Sequence, residues 1–173
     1  LPGGVALAVV ADGAGTARLA EQGAQAAVRE TLAALETALS GAVPSSASRD
    51  LADLLARLRS EAGIDISATN GPATITVEFT SRADLRRLAP RASCFVVPNV
   101  SSLAEYRRLR GTDTVDWSRV TSRDRAAVFI PADTSPQEVR DCLHEELAQA
   151  LGPLNDLYRL SDSVFNDDNF HSV

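Results

Sequence analysis

Glu145 and Gln149 are a pair of side chains whose types and spacing suit the binding of a shared ligand. On an α-helix, which turns by about 100° per residue, positions four apart lie only about 40° from each other, so the two side chains can reach one point. His144 is five positions before Gln149 and lies about 140° away from it. The spacing therefore predicts a site that joins Glu145 to Gln149 and leaves His144 out.

Glu146 is a second carboxylate, and it lies close to the apolar stripe of the same predicted helix. This stripe consists of Val139, Leu143, Leu147 and Ala150, and Cys142 and Gln149 flank it. A buried charge is very costly when nothing compensates it, so a carboxylate beside such a stripe must be paired, bind a metal or have a raised pKa. Pairing with an arginine is the structural alternative to a catalytic role.

The segment around these carboxylates resembles the metzincin signature H-E-x-x-H-x-x-G-x-x-H, with each histidine replaced. In this resemblance the ligand positions are occupied by Glu145, Gln149 and Asn155. Glu146 stands at the position of the general base and Gly152 at the end of the helix. Ser163, Val164 and Phe165 stand where metzincins have the turn that contains a methionine. The resemblance implies a hydrolase in which Glu146 takes a proton from a metal-bound water.

The resemblance extends to a bacterial family, the domain of unknown function 2927. It rests on residues 141–152, on Asn155-Asp156 and on residues 163–168. Because that family resembles metzincins in overall pattern, it implies a metzincin-like α/β fold, a twisted mixed sheet backed by helices, with a motif helix that carries the site. It often occurs on exported proteins or lipoproteins, which implies an exported, periplasmic or envelope-associated location. The likeness to peptidases implies a peptide or protein substrate.

The predicted metal shell consists of Glu145, Gln149 and Asn155, and His171 joins it if the segment before it turns back. Carboxylate and amide oxygens hold zinc more weakly than imidazole does, so calcium and manganese are alternatives to zinc. Asn and Asp residues are frequent between residues 155 and 169, which suits a hard ion but is also typical of turns. The alternative function is a non-enzymatic binding module that keeps the peptidase scaffold without a metal.

Cys94 and Cys142 are the two cysteines of the chain, and they form either one disulfide or two buried thiols. Their spacing has no C-x-x-C pair, which argues against a zinc knuckle. The export implied by the family resemblance favours the disulfide, because disulfides persist in oxidising compartments.

Composition and charge exclude two classes of function. The net charge of -6, from 17 basic and 23 acidic residues, argues against a nucleic-acid partner, because phosphate binding needs a concentrated basic surface. Arg82, Arg86, Arg87 and Arg91 form a local cluster that helical spacing scatters, so we interpret it as a solvated face. The chain has no apolar run long enough for a transmembrane helix.

Hydrophobic periodicity predicts alternating strands and helices in one domain that spans residues 1–173. Strands are predicted at residues 4–10, 64–67, 73–80, 94–97 and 126–130. Helices are predicted at residues 16–39, 49–62, 81–88, 102–109 and 135–151. Gly152 is expected to end the last helix in a left-handed conformation. A metzincin continues into a C-terminal helix, and we expect that helix to be missing from this sequence.

Overall fold

The computed structural model describes residues 46–69 and 72–152, together with the backbone of residues 5–12. These residues form a mixed α/β fold, as the sequence predicted. The strands are β1 (Val5–Asp12), β2 (Asp65–Thr69), β3 (Ile75–Thr80), β4 (Phe95–Pro98) and β5 (Ala126–Pro131). The helices are α1 (Ala47–Ala62), α2 (Arg82–Leu88), α3 (Leu103–Leu109) and α4 (Pro136–Leu151), with a 3-10 turn at Asp113–Val115. The helix predicted at residues 16–39 lies outside the described residues.

The five strands form one mixed sheet in the order β2-β1-β3-β5-β4. β3 and β5 are parallel, with Ile75 opposite Ala126 and Thr80 opposite Pro131, and the other three pairs are antiparallel. Each residue of β5 is buried, because helices cover both faces of the sheet at this strand. The parallel pair is therefore the central part of the core.

The apolar run before Pro98 forms β4, whose side chains are largely buried, as predicted, and β4 is an edge strand of the sheet that the described residues form. Pro98 is compatible with an edge because it has no backbone N–H to donate to a second neighbour. The indole Nε1 of Trp117 donates to the carbonyl oxygen of Val96 over 3.0 Å. This ring is therefore held against β4, whose strand partner among the described residues is β5.

Two hydrophobic clusters pack against the two faces of the sheet. α1 and α4 pack on one face, where alternate β5 residues such as Val128 and Ile130 are buried. α2 and α3 pack on the opposite face around Phe129. The ring of Phe129 lies 5.3 Å from that of Phe95 and 6.2 Å from that of Tyr106, centre to centre. Tyr106 therefore packs in an aromatic cluster on this face of the sheet.

The ends of α4 differ in how well the sequence predicted them. The helix begins where it was predicted to begin: the Ser135 hydroxyl accepts the backbone N–H of Glu138, and Pro136 occupies the first turn. The predicted left-handed conformation of Gly152 is wrong, since its φ is 163°. The N–H of Gly152 instead donates to the carbonyls of both Ala148 and Gln149 at 3.2 Å. This shared bond closes the last turn without a left-handed residue.

Arg82 joins α2 to the start of α4, which corrects its assignment to a solvated basic face. Its guanidinium donates to the Glu138 carboxylate over 2.6 Å and also to the Thr134 hydroxyl, while its backbone N–H donates to Asp133. Hydrogen bonds from Arg82 and from Thr134, together with the positive charge of Arg82, hold the pKa of Glu138 below its ordinary value. The other three arginines of the predicted cluster, Arg86, Arg87 and Arg91, are exposed, as expected. Spacing alone could not identify the partner of Arg82, because Glu138 lies on a distant segment.

Candidate functional site

A disulfide between Cys94 and Cys142 fixes the motif helix α4 to the segment that enters the edge strand β4. The two Cα atoms are 5.9 Å apart, and 48 positions separate the cysteines in the sequence. Both half-cystines are buried. The structure thus contains the disulfide that the sequence favoured, and this bond sets the distance between α4 and the sheet edge near the two glutamates.

Glu146 is part of the buried face of α4 rather than beside it. This face consists of Val139, Cys142, Leu143, Glu146, Leu147 and Ala150. Only 3% of Glu146 is exposed, and it is the one charged residue buried to this degree in residues 46–69 and 72–152. Since a buried carboxylate must be compensated, its position marks this turn of the helix as a candidate site.

Glu145 and Glu146 approach the sulfur of Cys94. One oxygen of each carboxylate and the Sγ of Cys94 all lie within 4.8 Å of one another. Glu145 is exposed, whereas Cys94 and Glu146 are buried, so the group extends from the surface into the core. A disulfide sulfur is not a thiolate and is a poor metal ligand. In the oxidised chain, two carboxylates therefore supply the negative charge of this group.

The sequence-predicted site residues have different outcomes. The structure brings Glu145 and Glu146 together, and it places Gln149 half-buried one turn further along α4. The remaining predicted residues lie outside the described part of the chain: Asn155, Ser163, Val164, Phe165 and His171. Their convergence with Glu145 stays a prediction.

Sequence reasoning missed that Cys94 lies next to the two glutamates. The signal was present, because Cys142 lies four positions before Glu146 on the same face of the helix. Once Cys142 is paired, its partner must lie within one turn of Glu146. The disulfide and the carboxylate site were therefore predicted separately, although they occupy the same region.

His144 is half-buried, and the charges that act on its pKa belong to α4 itself and to α1. Burial lowers the pKa of His144, and the positive charges of Arg140 and Arg57 lower it further, whereas Asp50 opposes them. Arg57 and Asp50 belong to α1, so the imidazole lies in the electrostatic environment of that helix. This agrees with the helical geometry, which separated His144 from the predicted ligand pair.

Comparison with known proteins gives one family. Residues 24–173 match the family described as "Protein of unknown function (DUF2927)". No curated protein and no solved structure is significantly similar to the chain. The match contains the disulfide, the complete motif helix and each predicted site residue. Because it spans most of the sequence, the chain belongs to the DUF2927 family.

Proposed function

We propose that the protein is a metal-dependent hydrolase of peptides, with Glu146 as the general base and Glu145 as a metal ligand. The observation that carries this proposal is the approach of the two carboxylates, one buried and one exposed, within 4.8 Å. Like charges at such a distance repel each other, so the pair favours the binding of a cation or of a proton. Oxygen ligands suit a hard divalent ion such as calcium or manganese better than they suit zinc.

The burial of Glu146 supports its role as a base. Glu146 belongs to the same buried helix face as Leu143 and Leu147, and a general base works best where bulk water is kept away from the reacting groups. A bound divalent ion would supply a water of lowered pKa and would polarise the carbonyl of the substrate. Glu146 would accept the proton of that water and pass it to the leaving amine.

The other parts of the proposed shell come from the resemblance to metzincins. Gln149 follows Glu145 by one turn, and Asn155 and His171 are the further candidate ligands. The mixed α/β fold, with a motif helix packed on the sheet, supports this relationship. The buried disulfide supports an exported, periplasmic or envelope-associated location, because such bonds persist in oxidising compartments.

Metal content and peptide hydrolysis test this proposal in four proteins. Wild type is purified without chelators, beside Glu145→Ala, Glu146→Gln and the control Glu61→Gln, whose glutamate is exposed on α1. We expect stoichiometric metal in wild type, loss of metal in Glu145→Ala, and retained metal with a loss of at least about 10²-fold in hydrolysis in Glu146→Gln. The control should behave as wild type.

Two results would overturn the proposal. One is absence of metal combined with no gain in melting temperature when zinc, manganese or calcium is added. The other is hydrolysis that survives in Glu146→Gln.

A non-enzymatic binding module is the second candidate, and the state of Cys94 favours it. The sulfur of Cys94 is bonded in the disulfide and is therefore a poor metal ligand. The charges that act on His144 belong to α4 and α1, so we do not count its imidazole among the ligands. If the protein is a binding module, Glu146 has a structural role and stabilises the position of α4. The Glu146→Gln variant then changes the free energy of unfolding by about 1 kcal/mol or more, and neither it nor wild type hydrolyses peptides. Thermal melting beside the hydrolysis assay distinguishes the two functions.

A further inference from the structure

A cavity of about 250 Å³ opens between the end of α4 and the start of β5. Its apolar lining consists of Ile75, Ala126, Ala150 and Leu151, and two arginines, Arg123 and Arg125, also line it. Ile75 and Ala126 lie opposite each other where the two parallel strands begin. The cavity thus lies at the edge of the sheet from which β3 and β5 start.

The two arginines of this cavity differ in their partners. The guanidinium of Arg125 is neutralised by Glu105, with an N–O distance of 2.8 Å. The guanidinium of Arg123 stacks over the ring of Trp117 at 5.5 Å, and no carboxylate in the described part of the chain forms an ion pair with it. Its Nη1 is shielded from solvent and has no hydrogen-bond partner among the residues that the structure describes. Burial also lowers the pKa of Arg123.

A guanidinium that has no carboxylate partner and is partly removed from water is suited to bind an anion. Leaving a guanidinium nitrogen without water and without an acceptor is costly, and an acidic oxygen that reached Nη1 through a shift of the Arg123 side chain would offset that cost. The planar fork of an arginine matches a carboxylate, with which it forms two parallel hydrogen bonds. The structure thus provides Arg123, a charged donor with no ion-pair partner in the described part of the chain, at the wall of a cavity in which half of the lining residues are apolar.

The charges around the cavity favour a monoanion over phosphate. Arg125 is already paired with Glu105, and the exposed carboxylate of Asp124 also lines the cavity. One positive charge is therefore available, and Asp124 would repel the second charge of a dianion. The volume admits a carboxylate with a short apolar group, whereas drug-sized ligands occupy cavities of roughly 300 Å³ or more.

We propose that this cavity binds a carboxylate that carries a small apolar side chain, such as a leucine-like acid, with Arg123 holding the carboxylate. The apolar walls formed by Ile75, Ala150 and Leu151 would take up the side chain. Such a group occurs both in free acids and at the C-terminus of a peptide. The site needs neither a metal nor Glu146, so it is independent of the proposed hydrolase function.

Calorimetric titration with defined probes tests the site. N-acetyl-leucine should bind to wild type, while N-acetyl-leucine amide, which lacks the carboxylate, and inorganic phosphate should bind at least tenfold more weakly. An acetylated tripeptide that ends in leucine identifies the source: binding as tight as that of N-acetyl-leucine supports a peptide terminus, and weaker binding supports a free acid.

Variants of the cavity wall complete the experiment. Arg123→Gln should lower the affinity for N-acetyl-leucine at least tenfold, whereas Arg91→Gln, which alters an exposed arginine, should not. Ala150→Val narrows the cavity and should also weaken binding, and Arg123→Lys keeps a positive charge in case Arg123→Gln fails to fold. Equal binding of the acid and the amide, no binding of either, or wild-type affinity in folded Arg123→Gln protein would overturn the proposal.

Discussion

Removal of the Cys94–Cys142 disulfide should destabilise the protein by about 4 kcal/mol. The double variant Cys94→Ala/Cys142→Ala releases a loop closed across 48 positions. On the chain-entropy estimate, a loop of this length restricts the unfolded chain enough to contribute that amount to the free energy of unfolding. For a chain of this size the loss corresponds to a fall in melting temperature of roughly 8 to 16 °C.

Urea unfolding at equilibrium measures this loss directly. The double variant should have a lower midpoint than oxidised wild type, and also a steeper dependence of the free energy on urea, because its unfolded state is less compact. Wild type unfolded with a strong dithiol reductant is the matched comparison, since it loses the bond but keeps both sulfur atoms. Its stability should approach that of the double variant.

Two outcomes distinguish restriction of the unfolded chain from packing of the buried sulfur atoms as the source of this stability. If the loss in the double variant is below about 1 kcal/mol, the bond does not restrict the unfolded chain as assumed. If reduced wild type remains as stable as oxidised wild type while the double variant is destabilised, packing of the buried sulfur atoms accounts for the effect instead. Either result would refute the entropic argument.

Three further predictions follow from individual side chains. Glu138→Gln should cost about 1 kcal/mol near neutral pH, after allowance for solvent screening of its pairing with Arg82. Because the pairing with Arg82 lowers the pKa of Glu138 in the folded state, the stability that it contributes is present above the ordinary pKa of 4.5 and is lost as the pH falls through the pKa of the folded state. The unfolding free energies of wild type and Glu138→Gln should therefore converge in acid. Burial lowers the pKa of His144 in the folded state, so wild type should lose stability as the pH falls below about 6.5, the ordinary histidine value. The His144→Asn variant should lose less stability over the same range, and thermal melting of both proteins measures the difference. Phe129→Ala removes a fully buried ring that packs against two other aromatic rings, and denaturant unfolding should show a loss of about 3 to 5 kcal/mol.

Local patterns predicted the elements of the fold more accurately than their arrangement. The start of α4 follows from Ser135, Pro136 and Glu138, which interact within one turn of helix. The edge position of β4 and the partner of Arg82 depend on segments that are distant in the sequence. Periodicity reports which side chains are buried, but it does not report the order of strands in a sheet.

The candidate site shows the same limit. The burial of Glu146 could be predicted, because helical spacing alone places it near the apolar stripe. The spacing of Cys142 and Glu146 indicates that the partner of Cys142 lies near Glu146, whereas the approach of Cys94 to Glu145 also depends on how β4 and α4 pack. The cavity beside Arg123 combines residues of two strands and one helix, and no sequence motif marks it.

The carboxylate pair and the cavity lie along one helix, which constrains how they could act together. Glu146 and Ala150 are four positions apart on the buried face of α4, a distance of about 6 Å along the helix axis. Because this face is packed against the sheet, with Leu147 buried between the two positions, we propose the carboxylate pair and the cavity as separate sites one helical turn apart. Because the disulfide and the Arg82 contacts both fix α4 to the rest of the fold, this spacing should persist when either site is altered alone.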